Sequence, residues 1–310
     1  MSVPVAEIVR SGFVEGRHHG SVVALEPDGT VAWSAGDVTS QILPRSTNKP
    51  LQAVGMVGAG LDLPPRLLAL AAASHSGEEI HLAGVREILG GAGLTEQALG
   101  NVPDLPLDPA VRDEWLREGR EPSRLVQNCS GKHAAMIATC AARDWQLSGY
   151  FEPDHPLQLL IQRRFEQLTG EPAVVTVDGC GAPLLSASLT GLARAFRTLA
   201  LATEGPERRV ADAIRDFPEY VSGSRRDELR LLRAVPGAIG KLGAEAVYAV
   251  ALPDGRTVAL KIDDGGDRAR PVVMAEALRR LGVESAEVDA IGKHTLYGGG
   301  VPVGEIRACF

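Results

Sequence analysis

The sequence predicts an α+β fold in which both ends of the chain supply strands to one antiparallel sheet around a helical insert. Two hairpins support this prediction, each with a Pro-Asp-Gly turn, at residues 27–29 and 253–255. Most of the chain between them shows helical composition and spacing. The strands predicted around the two turns are residues 21–25, 30–34, 247–252 and 257–262.

The remaining elements follow in chain order. Helical patterns are found at residues 64–73, 78–89, 132–143, 155–168, 184–202, 208–217 and 274–281. Residues 172–177 form a β-rich run, and the charged, Pro-rich residues 104–122 predict a surface excursion. We expect a single domain over 1–310 with two lobes, a sheet lobe from about 1–45 and 236–310 and a helical lobe between them.

Composition excludes several classes of protein. The 310 residues carry a net charge of −7 and no basic tract, which argues against a nucleic-acid partner. The N-terminus lacks the apolar core of a signal peptide, and the apolar run at residues 67–73 is too short to cross a membrane. We therefore expect a cytoplasmic protein with no membrane contact, whose four cysteines are reduced.

Lysine is rare in this chain. Of 32 basic residues only five are lysines, at positions 49, 132, 241, 261 and 293. A genome rich in arginine codons explains this bias without function. Unlike arginine, however, a buried lysine can lose its proton and act as a base, so each remaining lysine is a weak pointer to chemistry.

Ser46 and Lys49 form a Ser-x-x-Lys motif. On a helix, residues three apart share a face, so the lysine amine can reach the hydroxyl. A serine becomes a good nucleophile only when a neighbouring base takes its proton, and a desolvated lysine can be that base. The motif alone is weak, because a serine that caps a helix followed by a solvated lysine gives the same pattern.

Two further motifs lie at predicted helix starts. Ser74 and His75 precede a helix that Ser76 could simply cap. The run Cys129–His133 leads into an alanine-rich helix whose free amides could bind a carboxylate. The plain alternative for this run is that Ser130 caps the helix and Cys129 fills the core.

Two glycine-flanked motifs complete the set of candidates. Asp178 and Cys180 lie where a strand ends, and Cys180 could share a metal with Cys129 if the fold brings them together. A glycine-rich turn with Cys180 as filler is equally consistent. Lys241 lies between glycines, a position that also suits a solvated loop lysine.

Together these motifs resemble the Rhizobium etli-type L-asparaginase family, also called asparaginase II. They occur in the expected order over nearly the whole chain. They comprise Arg45-Ser46-x-x-Lys49, Ser74-His75-x-Gly77-Glu78, Cys129-Ser130-Gly131-Lys132-His133, Asp178-Gly179-Cys180-x-Ala182-Pro183, Lys241-x-Gly243-Ala244-Glu245, Val303-Gly304-Glu305-Ile306-Arg307 and Glu15-x-x-His18-x-Gly20. One departure is Ala246, where the family leads us to expect glycine.

The resemblance implies a fold like the serine β-lactamases and glutaminases, and hydrolysis of L-asparagine to L-aspartate and ammonia by a homodimer. It implies two Ser–Lys pairs, which we match to Ser46 with Lys49 and to Ser74 with Lys241, Lys261 being the alternative lysine. It also implies zinc. The residues matched to the zinc ligands are Cys129, Lys132 and Cys180.

From these matches we expect Ser46 to attack the side-chain amide and Lys49 to take its proton. Substrate-binding roles are expected for Arg45, His75, His133 and Asp178. The rival hypotheses are a glutaminase or β-lactam-type hydrolase with the same Ser–Lys apparatus, and a non-catalytic amino-acid-binding sensor. A thiol redox protein is a weaker rival, because the chain has no Cys-x-x-Cys.

Overall fold

The computed structural model describes all residues from Met1 to Phe310. The chain divides into two compact units. The first unit comprises residues 1–47, 187–201 and 230–310, and the second comprises residues 48–186 and 202–229. The first unit thus contains the residues of the predicted sheet lobe together with one segment from the middle of the chain.

The chain forms twelve strands. They are β1 (Val3–Arg10), β2 (Phe13–Leu25), β3 (Val31–Ala35), β4 (Gln41–Ile42), β5 (Val175–Val177), β6 (Pro183–Leu185), β7 (Ala187–Ser188), β8 (Ile239–Leu242), β9 (Val247–Ala251), β10 (Thr257–Ile262), β11 (His294–Gly298) and β12 (Val301–Ala308).

The chain also forms twelve α-helices and two 3-10 turns, Arg45–Asn48 and Glu96–Ala98. The helices are α1 (Lys49–Gly58), α2 (Pro65–Ala71), α3 (Glu79–Gly91), α4 (Pro109–Arg117), α5 (Ser130–Ala142), α6 (Pro156–Thr169), α7 (Leu189–Leu201), α8 (Gly205–Asp216), α9 (Pro218–Val221), α10 (Asp227–Ala234), α11 (Arg270–Arg280) and α12 (Ala286–Ile291).

The main sheet lies in the first unit and has the strand order β11-β12-β1-β2-β10-β9-β8, with β3 also paired to β2. Every pairing is antiparallel, and β1 pairs with β12 so that Ile8 lies opposite Ile306. The prediction of an α+β fold whose antiparallel sheet is built from both chain ends is confirmed.

Both predicted hairpin turns form through the same local chemistry. Asp28 Oδ1 accepts the N–H of Thr30 at 2.8 Å, and Asp254 Oδ1 accepts the N–H of Arg256 at 3.0 Å. The glycine of each turn has a positive φ, 90° at Gly29 and 94° in the second turn. Aspartate favours such turns because its side chain can accept from the backbone two residues on, and glycine adopts positive φ without strain.

The middle of the sheet is covered on both faces. All five residues of β9 are buried, although alternate side chains of a strand point to opposite faces. Helices α7 and α11 both pack against β9 and β10. Gly20 of β2 allows close backbone approach, because a Cβ at this position would lie 2.4 Å from Lys261 O.

The second unit is built around α5. Its residues from Ser130 to Cys140 are all buried, because α1, α2, α3 and α6 pack around this helix. Helix α1 approaches α6 closely, since a Cβ at Gly55 would lie 3.2 Å from Ile161 Cα.

No helix of the chain is both long enough and apolar enough to traverse a bilayer.

One local expectation was wrong, and two of the plain alternatives for serine motifs do not hold. The helix predicted at 184–202 begins only at Leu189, because residues 183–188 form β6 and β7. Ser76 does not cap α3, since its hydroxyl donates to Ser222 O at 2.6 Å and Glu78 occupies the N-cap position. Ser130 is the first residue of α5 and not its cap, and its hydroxyl donates to Leu125 O. The excursion at 104–122 contains α4.

Candidate active site

A buried lysine–serine pair lies in the second unit. Lys49 begins α1, and its Nζ donates to Ser74 Oγ at 2.9 Å and to Ala73 O at 2.6 Å. Lys49 is 1% exposed and Ser74 is 4% exposed. An amine and a hydroxyl at this distance are the components of a lysine-activated serine, because a neutral amine in this position could accept the hydroxyl proton.

The observed partner of Ser74 differs from the one assigned by motif matching. That assignment paired Ser74 with Lys241, whereas the structure shows Lys49 bonded to Ser74. The two residues lie 25 positions apart, so their spacing along the chain carries no signal of contact. The loop between α2 and α3 brings Ser74 to the start of α1.

His75 is fully buried beside this pair, and both of its ring nitrogens are occupied. Its Nε2 lies 2.7 Å from Ser130 Oγ, and its Nδ1 accepts the N–H of Gly77 at 3.1 Å. Because the Ser130 hydroxyl donates to a backbone carbonyl, Nε2 carries the ring proton. Burial lowers the pKa of His75 well below its usual value, and the charges of His81 and Lys49 act in the same direction. A neutral His75 therefore fixes its loop, and its substrate contact stays a prediction.

The predicted zinc ligands lie together in the second unit. Lys132 Nζ donates to Cys180 Sγ at 3.2 Å, and Cys129 and Cys180 pack in one buried cluster. Cys129 Sγ donates to Asn128 Oδ1 at 3.1 Å. Asp178 Oδ2 lies 4.0 Å from Cys180 Sγ. Phe151 and Ala182 pack against the two cysteines. Two sulfur atoms and one amine thus converge in a largely apolar setting.

The two thiols have opposite pKa shifts. The hydrogen bond from Cys129 lowers the pKa of Cys180 to about 5, against the effect of burial, and the charge of Lys132 lowers it further. The same hydrogen bond, together with burial, raises the pKa of Cys129 to about 12. The two buried thiols therefore differ in their tendency to lose a proton, and Cys180 is the more acidic of the two. Burial lowers the pKa of Lys132, but the two thiols and Asp178 outweigh it and hold this pKa above its usual value.

The donor set suits a soft divalent ion only if the lysine takes part. No group of three or more His, Cys, Asp or Glu side chains in the chain could hold a metal ion. Two thiolates and one neutral amine would supply three ligands of the kinds that zinc accepts. Metal binding would have to displace the protons of Lys132 and Cys129, so its strength must fall in acid.

His133 presents an unpaired donor next to this group. Tyr150 Oη lies 2.5 Å from His133 Nδ1 and accepts the N–H of Gly100 at 3.0 Å, so the phenol donates to Nδ1 and the ring proton is on Nε2. His133 Nε2 is buried without a hydrogen-bond partner. Burial and the charge of Lys132 lower the pKa of His133 well below its usual value. A buried N–H without a partner costs about 1–3 kcal/mol, a cost that a bound acceptor would remove.

The other candidates lie in the first unit. Arg45 has a φ of 55° and begins the 3-10 turn that carries Ser46, which is half-buried. Arg45 NH1 lies 3.7 Å from Glu245 Oε1. Lys241 on β8 is fully buried, and its Nζ donates to Leu242 O at 2.6 Å. Lys261, the alternative lysine, is half-buried and donates to Glu245 O at 3.0 Å.

The end of β8 lies directly against the turn that carries Ser46. A Cβ at Gly243 would lie 2.5 Å from Pro44 O and 2.6 Å from Thr47 Oγ1, so no side chain fits there. Glu245 and Ala246 follow with φ of 57° and 51°. Alanine at a positive φ is strained, which gives a physical reason to expect glycine at position 246.

The family model described as L-asparaginase II matches residues 6–308 of the chain. The chain belongs to this family. The resemblance inferred from the ordered motifs is thereby confirmed, and the chain is an amidohydrolase that acts on a small-molecule substrate. A search of curated proteins found no match to this member of the asparaginase II family.

Solved structures similar to this asparaginase II chain include three hydrolases. A β-lactamase from Mycobacterium bovis is 15% identical with a TM-score of 0.48, over 85% of this chain and 95% of that chain. EstCE1, a hydrolase with promiscuous acyltransferase activity, is 13% identical with a TM-score of 0.43, over 84% and 93%. A Bacillus glutaminase is 13% identical with a TM-score of 0.37, over 85% and 89%. These likenesses concern the fold and give no information about the substrate.

Sequence reasoning missed two residues that contact the candidate site. Tyr150 lies 17 positions from its partner His133 and in no recognisable motif. Arg226 NH1 donates to Ser74 O at 2.7 Å. Arginine is so common in this chain that the residue type gave no signal. The structure brings Cys129, Lys132 and Cys180 together, and it leaves the roles of all predicted site residues as predictions.

Proposed function

We propose that this member of the asparaginase II family hydrolyses the side-chain amide of L-asparagine to L-aspartate and ammonia. The observation that carries the proposal is the 2.9 Å hydrogen bond between Lys49 Nζ and Ser74 Oγ, both buried. A buried lysine next to a hydroxyl is suited to moving a proton during acyl transfer. Family membership supplies the reaction class, and this pair supplies the group that would move the proton.

Ser46 is our candidate for the attacking hydroxyl. It is half-buried and therefore open to a ligand, whereas Ser74 is 4% exposed and its oxygen already accepts from Lys49. Lys49 follows Ser46 by three residues, a spacing that places two side chains on one face of a helical turn. Ser46 therefore has the access that a nucleophile needs, and Lys49 has the spacing that a base needs.

The reaction would proceed in two steps. Ser46 Oγ bonds to the amide carbon while its proton passes to Lys49, and the C–N bond then breaks as that proton goes to the departing ammonia. Ser74, which is hydrogen-bonded to Lys49, would serve as the relay for this proton. Water then attacks the ester, which releases aspartate and returns a proton to Ser46.

Substrate recognition is assigned to charged and polar side chains. Arg45 and Asp178 would hold the α-carboxylate and α-ammonium groups of asparagine. The unpaired Nε2–H of His133 would donate to a ligand oxygen. His75 would act indirectly, because both of its nitrogens already hold the loop that carries Ser74.

We also propose that Cys129, Lys132 and Cys180 bind zinc. Support comes from the 3.2 Å approach of Lys132 Nζ to Cys180 Sγ and from the packing of Cys129 and Cys180 in one buried cluster. The ion would supply a fixed positive charge that orients the substrate. Cys180→Ser should lose bound zinc, as measured by metal analysis after dialysis, whereas Cys309→Ser, at an exposed thiol, should retain it. Equal zinc contents in the two variants would contradict the assignment.

The test of the function is ammonia release from L-asparagine and, separately, from L-glutamine. Ser46→Ala should abolish release, and Ser148→Ala, at an exposed serine, should leave it unchanged. If Ser46→Ala retains activity and Ser74→Ala loses it, the nucleophile is Ser74. No release from either amide by folded wild-type protein supplied with zinc would rule out the proposed function.

Assembly and location complete the proposal. We propose a homodimer, on the basis of the family resemblance, and a cytoplasmic location without nucleic-acid or membrane partners, on the basis of composition. Analytical ultracentrifugation tests the first proposal, since a monomer at working concentrations would contradict it.

A further inference from the structure

The position of Ser74 depends on residues outside its own loop. Ser74 lies in the segment between α2 and α3, which we call the 72–78 loop, and this loop has no regular secondary structure of its own. Three hydrogen bonds hold the residue. Its N–H donates to Val221 O at 3.0 Å, its carbonyl accepts from Arg226 NH1 at 2.7 Å, and its hydroxyl accepts from Lys49.

Two of these three bonds come from the end of α9 and the segment that follows it, residues 222–226, which we call the 222–226 loop. The same loop makes further contacts with the 72–78 loop. Ser76 Oγ donates to Ser222 O at 2.6 Å, and Ser224 donates to Glu78 Oε1 from both its N–H and its hydroxyl. Gly223 has a φ of 123°, and a Cβ there would lie 2.2 Å from Ser76 Oγ. The two loops therefore pack too tightly for either to move alone.

Lys49 and Arg226 bind consecutive carbonyl groups. Lys49 Nζ donates to Ala73 O at 2.6 Å, and Arg226 NH1 donates to the next carbonyl, that of Ser74. Arg226 forms an ion pair with Glu228, which is fully buried. Arg226 Nη1 lies 3.9 Å from Glu228 Oε2. A shift of about 1 Å in the peptide that joins Ala73 to Ser74 would break both bonds of Lys49.

We propose that Arg226 is a positioning residue of the reaction, which acts by holding the Ser74 carbonyl so that the Ser74 hydroxyl meets Lys49. The inference rests on the proposed function for its kinetic effect, and on the hydrogen bonds alone for its structural effect. The guanidinium suits this task because it is planar, always charged and rigid in the placement of its donors. A misplacement of about 1 Å in such a group can cost about 100-fold in rate.

Arg226→Met tests the proposal, because methionine retains much of the packing volume and removes the donors. We expect kcat for ammonia release to fall by about 10- to 100-fold while KM changes less than about twofold. Arg226→Lys should recover at least about a third of the wild-type kcat, since an ammonium can make one of the bonds. The matched control is Arg225→Met. Arg225 lies in the same loop but binds Asp108, so its variant should retain wild-type kcat within about twofold.

A second measurement does not need a substrate. In a crystal structure of Arg226→Met the distance from Lys49 Nζ to Ser74 Oγ should exceed hydrogen-bonding range, about 3.5 Å, whereas Arg225→Met should retain the wild-type distance. Thermal unfolding of both variants confirms that they are folded. An unchanged distance in Arg226→Met would overturn the proposal, and so would a rise in KM at constant kcat, which would indicate direct substrate binding. A protein that hydrolyses no amide, but whose distance changes as expected, would overturn the proposed function alone.

Discussion

The Nζ of Lys49 lies 2.9 Å from Ser74 Oγ, and both residues are buried in the second unit. Burial excludes water from the pair, so proton transfer between them would meet no competition from solvent. This relationship leads to the first of four predictions, each with a matched control in the same chain.

Lys49→Met should reduce the rate of ammonia release by about 10²- to 10⁴-fold, the range that a general base contributes. The protein should remain folded, because methionine fills most of the space and removes a buried amine that needs hydrogen-bond partners. Lys293→Met, at an exposed lysine, should retain full activity. Steady-state kinetics and circular dichroism check both statements, and a Lys49→Met protein with more than about a tenth of wild-type kcat would contradict the role of Lys49.

Gly243→Ala should destabilise the first unit and reduce activity. The new methyl group would meet Pro44 O and Thr47 Oγ1 at about 2.5 Å, and overpacking of this kind costs about 1–3 kcal/mol. The displaced residues flank Ser46, so kcat should fall with the free energy of unfolding. Gly90→Ala is the control, because a Cβ there meets no atom within 4 Å and lies in helix α3. We expect Gly90→Ala to be neutral or stabilising in chemical denaturation, by up to about 1 kcal/mol.

Neutral, buried histidines predict a loss of stability in mild acid. The pKa values of His75 and His133 lie well below the usual value of 6.5, because burial disfavours the charged form. Below this pH the two histidines bind protons in the unfolded chain but not in the native protein. The free energy of unfolding should therefore decrease as the pH is lowered, by up to about 1.4 kcal/mol per pH unit for each histidine.

Urea denaturation between about pH 7 and pH 5 measures this slope. His75→Gln should show a shallower slope than wild type, because the unfolded variant binds one proton fewer. His19→Gln, at an exposed histidine, should match the wild-type slope. If the His75 and His19 variants behave alike, His75 is not the source of the acid sensitivity.

Asp108 should stabilise the loop before α4 through its charge. The hydrogen bond from Arg225 holds the pKa of Asp108 below its usual value of 3.8, and the same carboxylate caps α4 by accepting from Ala110 and Val111. Asp108→Asn retains an oxygen for the cap and removes the charge. It should lower the free energy of unfolding at neutral pH by about 1 kcal/mol, because Arg225 is half-exposed and its ion pair is screened by solvent.

The pH dependence of this effect has a definite sign. The native pKa of Asp108 is lower than the unfolded one, so its contribution is complete above the usual value of 3.8 and is lost as the pH falls through the native pKa. The difference between wild type and Asp108→Asn should therefore shrink below about pH 4. Asp113→Asn on the same helix is the control and should show no such convergence.

The sequence predicted most reliably the elements that local chemistry determines. Both hairpins were found because aspartate and glycine at their turns act within a few residues of each other. The start of α7 was misplaced because Leu184 and Leu185 are as apolar as the helix that follows. Their pairing with Val175 and Thr176 makes them strand, and partners 8 and 10 residues away leave no local pattern.

The candidate site, like the fold, could be predicted only where the signal lies in a short stretch of sequence. Motif order brought Cys129, Lys132 and Cys180 to attention as a group, and all three lie within the range that the family model matches. The hydrogen bond of Lys49 to Ser74 and that of Arg226 to the same residue could not be inferred, because these partners are separated by 25 and 152 positions. Contacts of this kind follow from the packing of loops, which one sequence does not encode in any short pattern.

The pairing of β1 with β12 has a consequence for folding during synthesis on the ribosome. β1 is synthesised well before its partner on that edge, β12 (Val301–Ala308), because ten other strands lie between the two along the chain. Until β12 is available, one edge of β1 has no partner strand, and an unpaired edge is prone to pair wrongly with other chains. The main sheet can therefore be completed only after β12 has been synthesised, and long-range pairing of this kind is slow.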